Sequence, residues 1–197
     1  MARDEILQLP APRLTGPMSI EESLARRHSV RAFAPGQLPL AALSQLLWAA
    51  QGMSGSGQRR TAPSAGALYP LEVYAATPDF LAHYSPKGHA LRVLRREDVR
   101  AVLAHASWEQ HFVERAPVVV VLTGVPRRIE VKYGRRRGAR YLAMEAGHAA
   151  QNVLLQAEAM GMAGVPVGAF DDAQVDAALG LPSGEHTLYL LPTGIAA

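Results

Sequence analysis

The sequence predicts an α+β domain in which helices pack on a mixed, mostly antiparallel sheet. Three observations carry that prediction. The stretch Lys132–Met160 ends in a long amphipathic helix, Pro117–Leu122 is an unbroken apolar run rich in valine, and helical and strand patterns succeed one another without regular βαβ alternation. In the helix, Leu142, Ala146, Ala149, Ala150, Val153, Leu154 and Ala157 recur at three- and four-residue steps and draw an apolar face. Tyr141, Glu145, His148 and Asn152 follow the same spacing and draw a polar stripe. Gly161 supplies a left-handed stop just beyond Met160. A helix with two such faces suits a core element whose other side meets a partner subunit or a ligand. On that reading Ala149 belongs to a subunit interface. The run Pro117–Leu122 lacks alternation and so predicts a central strand covered on both faces.

The remaining elements follow in chain order. Residues 1–18 hold Pro10, Pro12 and Pro17 without periodicity, and read as an extended arm that is loose or lies across a neighbour; residues 19–197 read as a single domain. Ser19-Ile20-Glu21-Glu22 forms a capping box and opens a short helix to about Arg27. Pro39 opens a second helix, buried through Leu40, Leu43, Leu46 and Leu47. GMSGSGQRRTAPSAGALYP, residues 52–70, is a loop whose length marks it as functional or disordered, and its place between a strong helix and a strong strand favours function. Leu71–Ala76 reads as a strand, and Phe80–Ser85 with His89–Leu94 as a hairpin. Glu97–Ser107 is helical, with acidic residues at the end that favours negative charge. Gly124–Gly138 is a basic connector, Ala163–Val167 a short strand, and Thr187–Leu191 the last strand. Asp171 caps a helix that Gly180 ends after Leu179.

Composition narrows the function classes. The 197 residues are 49% apolar and 19% charged, the range of a globular domain with a real core. With no cysteine, disulfides, zinc thiolates and thiol nucleophiles drop out. The formal charge is only +3, yet arginines gather at Arg26-Arg27, Arg59-Arg60, Arg95-Arg96, Arg127-Arg128 and Arg135-Arg136-Arg137. These read as solvated faces or as sites for anionic ligands. Without a nucleic-acid motif or a stacking series of aromatics, nucleic acid is not an expected partner. No apolar stretch reaches the length of a spanning helix, and the opening residues do not form a secretory signal, so the expected compartment is the cytoplasm.

Three motifs can hold chemistry. RHSVRAF, Arg27 to Phe33, places two guanidiniums, an imidazole and a hydroxyl at the end of a helix; it suits a phosphate or a carbonyl-rich ring edge, and also reads as a solvated basic turn. TAPSAGALYP, Thr61 to Pro70, joins Ser64 and Gly66 to small neighbours that let backbone amides approach a flat or anionic ligand. GVPVGAFDD, Gly164 to Asp172, exposes the amides of Gly168 and Ala169 just before a helix. The devices of dinucleotide, Walker-type ATP, zincin and serine-hydrolase sites are absent. No second ligand stands at metal spacing from His148, which reads as a core histidine, and no metal site is expected.

RHSVRAF, PSAGALYPLEVY, KYGRRRGARYLAMEAGHAAQN and GVPVGAFDD occur in that order, and together they resemble the FMN-dependent nitroreductase superfamily. More narrowly they are similar to the SagB-type dehydrogenases, the branch that includes azoline oxidases of peptide natural-product pathways. The resemblance spans residues 19 to 193. It implies a three-layer sandwich, an obligate homodimer built around the long helix, and one FMN in each of two interface sites. It also implies a small-molecule or peptide-derived substrate, with oxygen or NAD(P)H as redox partner. Carried over, Arg26, Arg27, His28, Ser29 and Arg31 hold the flavin, Arg31 at the N1/O2 edge of the ring. Pro63, Ser64, Ala65 and Gly66 line the ring from the partner subunit, and Val167, Gly168 and Ala169 present backbone toward N5 and O4. Lys132 and Tyr133 match a Lys-Tyr pair associated with proton abstraction; a structural pair orienting the helix start is the other reading. The closing PTGIAA lacks the basic residue that holds phosphate in other members, so that contact is expected from Arg26, Arg27 and Arg140. Larger SagB-like proteins have a further N-terminal region that recruits partners and peptide, which leaves NAD(P)H-driven reduction of nitro or quinone compounds, or a non-redox flavin-binding module, as alternatives.

Overall fold

The computed structural model of the chain describes residues 5–55 and 59–197. Residues 1–4 of the expected arm, and Ser56, Gly57 and Gln58 of the expected long loop, lie outside the described residues. Seven strands form one sheet: β1 (Glu5–Gln8), β2 (Leu71–Ala76), β3 (Leu81–Ser85), β4 (Ala90–Arg95), β5 (Val118–Gly124), β6 (Ala163–Gly164) and β7 (His186–Gly194). Their order is β1-β4-β3-β2-β5-β7-β6, and every pairing of these strands is antiparallel. The helices are α1 (Ile20–Arg26), α2 (Leu40–Gln51), α3 (Arg100–Ala106), α4 (Phe112–Arg115), α5 (Pro126–Ala159) and α6 (Asp172–Leu179).

β5 shows why the sheet has helices on both faces. All seven of its residues are buried. Val118, Val120 and Leu122 join a cluster with Leu43, Leu46 and Leu47 of α2 and Ala146, Ala149 and Val153 of α5. Val119 and Val121 join another with Leu103 of α3, Val113 of α4 and Val175 and Leu179 of α6. Each such side chain contributes roughly 1.5–3 kcal/mol by leaving water, so neither face of the strand tolerates exposure. The result is three layers, helix, sheet and helix.

Local signals set the ends of the elements. The Ser19 hydroxyl accepts the Glu22 N–H at 3.1 Å, one half of the expected capping box, while Glu22 pairs with Arg26 instead of reaching back. The Asp171 carboxylate accepts the Gln174 N–H at 2.9 Å, and Gly180 closes α6 in the left-handed region with φ 65°. Pro39 is the residue before α2 rather than its first turn.

Three expectations change. The connector Gly124–Gly138 is helical from Pro126 and is broken only at Gly134, where φ 70° and ψ 165° interrupt α5. Arginine favours helix almost as well as alanine, so a charge run is no sign of a loop. The described part of the arm is not loose: Glu5–Gln8 pairs with β4 of the same chain, the Ser44 hydroxyl donates to the Pro10 carbonyl at 2.6 Å, and the Arg13 N–H donates to Gln45 Oε1 at 2.8 Å. Ala149 is fully buried in the protomer's own core, not at an interface, because the apolar stripe of α5 faces the sheet. Ala143, Met144, Gly147, His148 and Gln151 are the exposed residues on this stretch, so His148 is not a core histidine.

Ala149→Glu is therefore expected to unfold the protomer itself, at a cost of about 3 kcal/mol or more for an unpaired buried charge. A urea melt that keeps its midpoint would contradict this placement.

Candidate functional site

The sequence-predicted site residues fall into two groups. The first forms where the chain leaving α1 crosses the sheet edge. Ser29 pairs in parallel with Gly164, and the Val30 N–H donates to the Gly164 carbonyl at 3.2 Å. Farther on, the Ala34 N–H donates to Ile195 and the Ala197 N–H to Ala32, which fastens RHSVRAF to the end of β7. The Arg31 guanidinium stands 5.9 Å from the centre of the Phe112 ring. Two residues before Phe112, Gln110 donates from Nε2 to the Ala169 carbonyl at 3.1 Å. These contacts bring RHSVRAF and GVPVGAF together, with the 110–112 turn as a brace that the sequence did not signal. Val167 is buried, and its N–H donates to Leu190 at 2.8 Å, so it anchors the turn. Gly168 and Ala169 are exposed, and among the described residues their amides make no hydrogen bond.

Two residues of this group have structural partners. Arg26 pairs with Glu22 at 3.0 Å and with Glu158 at 3.2 Å, fastening α1 to the end of α5. The His28 ring lies with Nδ1 3.0 Å from the Arg26 carbonyl. Arg27, Ser29 and Arg31 make no side-chain hydrogen bond or ion pair among the described residues.

The second group is the loop before β2. Gly66, Ala67 and Tyr69 have φ of 65°, 53° and 46°. Two of the three are not glycine, so the loop stores strain of the kind found at functional sites. Ser64 organises it: its hydroxyl accepts the Tyr69 N–H at 2.9 Å and its carbonyl the Ala67 N–H at 3.1 Å. Pro63 and Gly66 are exposed at the surface of the loop. A Cβ on Gly66 would lie 2.8 Å from Tyr133 Oη and 2.9 Å from Lys132 Nζ, so this glycine is what lets the loop meet the Lys132–Tyr133 pair. Tyr133 packs edge-on against Tyr141 with ring centres 5.0 Å apart, and Lys132 Nζ stands 5.5 Å from the Tyr133 ring centre. Within the protomer Arg140 stands with this group, its guanidinium 5.5 Å from the Tyr141 ring centre.

Beneath this loop lies a polar cluster. Glu145 is 1% exposed, and among the described residues neither of its carboxylate oxygens has a hydrogen-bond partner; Gln51 Nε2 and Arg60 Nε are likewise buried without one. Burial pushes the Glu145 carboxyl up to about 7, against the opposing influence of Ser64, Gln51 and the Arg60 charge. None of these three neighbours closes a well-aligned hydrogen bond on it. Arg60 also donates to the Gln51 carbonyl at 3.1 Å and stands 5.2 Å from the Tyr69 ring centre, so it ties α2 to the loop. Asn152 Nδ2 donates to the Thr61 carbonyl at 3.3 Å. The polar stripe of α5 thus divides: Glu145 and Asn152 support the loop, while His148 faces outward. Gln51 and Arg60 escaped sequence reasoning, because nothing in their spacing links them to Glu145. Among the described residues no hydrogen bond or ion pair joins the two groups.

Comparison with known proteins places this arrangement. The profile described as Nitroreductase family matches residues 24–195. A candidate nitroreductase of Methanocaldococcus jannaschii is 38% identical over 183 residues, covering 90% of this chain and 91% of its own. The crystal structure of a candidate nitroreductase from Ralstonia eutropha superposes with a TM-score of 0.90 at 32% identity, covering 100% of this chain and 92% of that one. The NADPH:FMN oxidoreductase of Vibrio harveyi, solved with NAD+, shares the fold with a TM-score of 0.68 at 23% identity, covering 90% of this chain and 68% of that one.

A raised carboxyl pKa has a defined consequence for stability. The folded chain holds the Glu145 proton to about pH 7, whereas the unfolded chain releases it near 4.5. The stability linked to that proton is complete below the lower value and declines as pH rises toward the upper one. Glu145→Gln, which keeps the shape without the ionisation, is expected to gain on the parent in urea melts between pH 5 and pH 8. A difference that stays constant across that range would refute the assignment.

Proposed function

The chain belongs to the nitroreductase family of oxidoreductases, and from that premise we propose that it is an FMN-dependent enzyme of the SagB-type dehydrogenase class, working as a homodimer. The observation that carries the reading is the pairing of Ser29 with Gly164, which sets RHSVRAF alongside GVPVGAF.

The residues present fit the cofactor. Arg27, Ser29, Arg31 and the amides of Gly168 and Ala169 are all hydrogen-bond donors without protein partners among the described residues. That set suits a phosphate together with the acceptor atoms of a flavin ring. Pro63, Ala65 and Gly66 offer the small, flat surface that a ring needs. Support for a second copy comes from the separation of the two groups within one protomer and from exposed apolar side chains. Ile20 and Leu24 are each 56% exposed on α1, and Met144 is 53% exposed on α5. Two copies in contact through these helices would allow Pro63–Gly66 of one to complete the site of the other.

Bound FMN supplies a two-electron carrier that takes hydride from one substrate and returns it to another. The chain's own residues then have distinct tasks. Arg27 and Ser29 bind the phosphate end. Arg31 places positive charge where added negative charge on the ring is favoured. Lys132 removes a proton from the substrate, and Tyr133, held by its contact with Tyr141, positions it. A second reading is NAD(P)H-driven reduction of a nitro or quinone compound, and the names of the relatives from Methanocaldococcus jannaschii and Ralstonia eutropha support its nitro-reducing part.

The visible spectrum of the purified protein tests the first step, because a colourless protein that takes up no added FMN excludes both readings. Rapid bleaching of the flavin by NADPH selects the reductase. Arg27→Ala removes a charge-assisted contact worth about 1.5–3 kcal/mol and is expected to weaken FMN binding roughly ten- to hundredfold. Unchanged affinity on titration would remove Arg27 from the site.

A further inference from the structure

We propose that Arg136, Arg137 and Arg140 form an anchoring site for a phosphate-class oxyanion on the substrate, next to the Lys132–Tyr133 pair. The charge distribution is the first argument. Between Pro126 and Tyr141 stand seven cationic side chains and one carboxylate, Glu130, an excess larger than the whole chain's net charge of +3. Four arginines elsewhere, Arg26, Arg95, Arg96 and Arg100, each lie against a carboxylate. In this stretch, among the described residues, only Arg128 does, through Glu72. A concentration of unpaired cations raises the local density of anions and is costly to maintain without a ligand to neutralise it.

Shape is the second argument. Arg136, Arg137 and Arg140 by themselves line a cleft of about 480 Å³. Three arginines lining one cleft suit the multiple acceptors of a phosphate, which several guanidinium forks can grip at once. Position is the third. Arg140 stands over Tyr141, Tyr141 packs against Tyr133, and Tyr133 meets Gly66 of the strained loop. One run of side-chain contacts therefore leads from the cleft to the pair. The helix break at Gly134 makes the arginine turn a separate segment directly after that pair. A compact aromatic or heterocyclic substrate with a dianionic head group could leave its charge in the cleft and its reacting part beside Lys132. The anchoring role rests on the proposed reading of Lys132 and Tyr133; the anion site itself does not.

The test uses para-nitrobenzyl phosphate and para-nitrobenzyl alcohol, which differ in the charged head group. Each is titrated calorimetrically into the purified protein. The phosphate is expected to bind at least tenfold more tightly than the alcohol at low salt. This preference should shrink as ionic strength rises through about 0.3 M, as contacts with exposed charges do. R136A/R137A/R140A should bring the two ligands within about twofold of each other. R136K/R137K/R140K, which keeps the charge, should retain most of the preference and so separates charge from folding. Equal binding of both ligands to the parent protein, or a preference that survives the alanine variant, overturns the proposal. So does a loss of flavin from the alanine variant, since that assigns the arginines to the cofactor. If flavin is bound and the two ligands bind without preference, the inference fails while the proposed function stands. If binding shows the preference in a protein that never takes up flavin, the proposed function fails and the anion site remains.

Discussion

The burial of both faces of β5 is the constraint on which the rest of the structure depends. Val118, Val120 and Leu122 need one apolar cover, and Val119 and Val121 need another. α2 and α5 supply the first cover and α3, α4 and α6 the second. Once α5 is committed to the sheet through Leu142, Ala146, Ala149 and Val153, its orientation about its own axis is set. Residues off that stripe are then assigned without further choice. Glu145, one position before Ala146, turns inward under the 60–69 loop, and Met144, Gly147 and His148 turn outward.

Much of the fold was legible because its signals are local. The valine run gave away a strand with no exposed face, and Asp171 and Gly180 marked both ends of α6 by the chemistry of caps. What the sequence hid depends on tertiary pairing. β1 shows no alternation, because four residues at a sheet edge need only backbone partners, and Ala90, Leu91, Arg92 and Val93 of β4 supply them. The helical start of α5 was masked by charge: Arg127 to Arg137 looks like a connector to a reader who equates polarity with loops. Periodicity showed that α5 has an apolar stripe, but it could not say whether a sheet or a second subunit covers it. Ala149 was misplaced for that reason.

The site was legible in a different way. RHSVRAF, PSAGALYP and GVPVGAF stood out by residue type, and the structure joins the first and the last through Ser29 and Gly164. Arg26 and His28 could not be separated from Arg27 by sequence, since all three share one basic motif. Only the positions of Glu22, Glu158 and the Arg26 carbonyl show which side chains have structural partners. Phe112 and Gln110 carried no signal at all, because they brace the site from an element far away in the chain.

The strained loop and the buried carboxylate beneath it have a common cause. Left-handed Ala67 and Tyr69 cost free energy, and a buried carboxylate without partners among the described residues costs more. Neither would persist on a helix free to roll or fray. α5 can hold them because its apolar stripe is locked into the core over several turns, so that rolling the helix to wet Glu145 would expose Ala149, Ala150 and Val153 together. The core therefore keeps a buried, polar floor beneath Ser64 and holds Gly66 against Tyr133. Weakening the packing of α5 on β5 should loosen the loop before it disturbs the first group, because Ser29 and Arg31 are tied to β6, β7 and the 110–112 turn and not to the middle of α5.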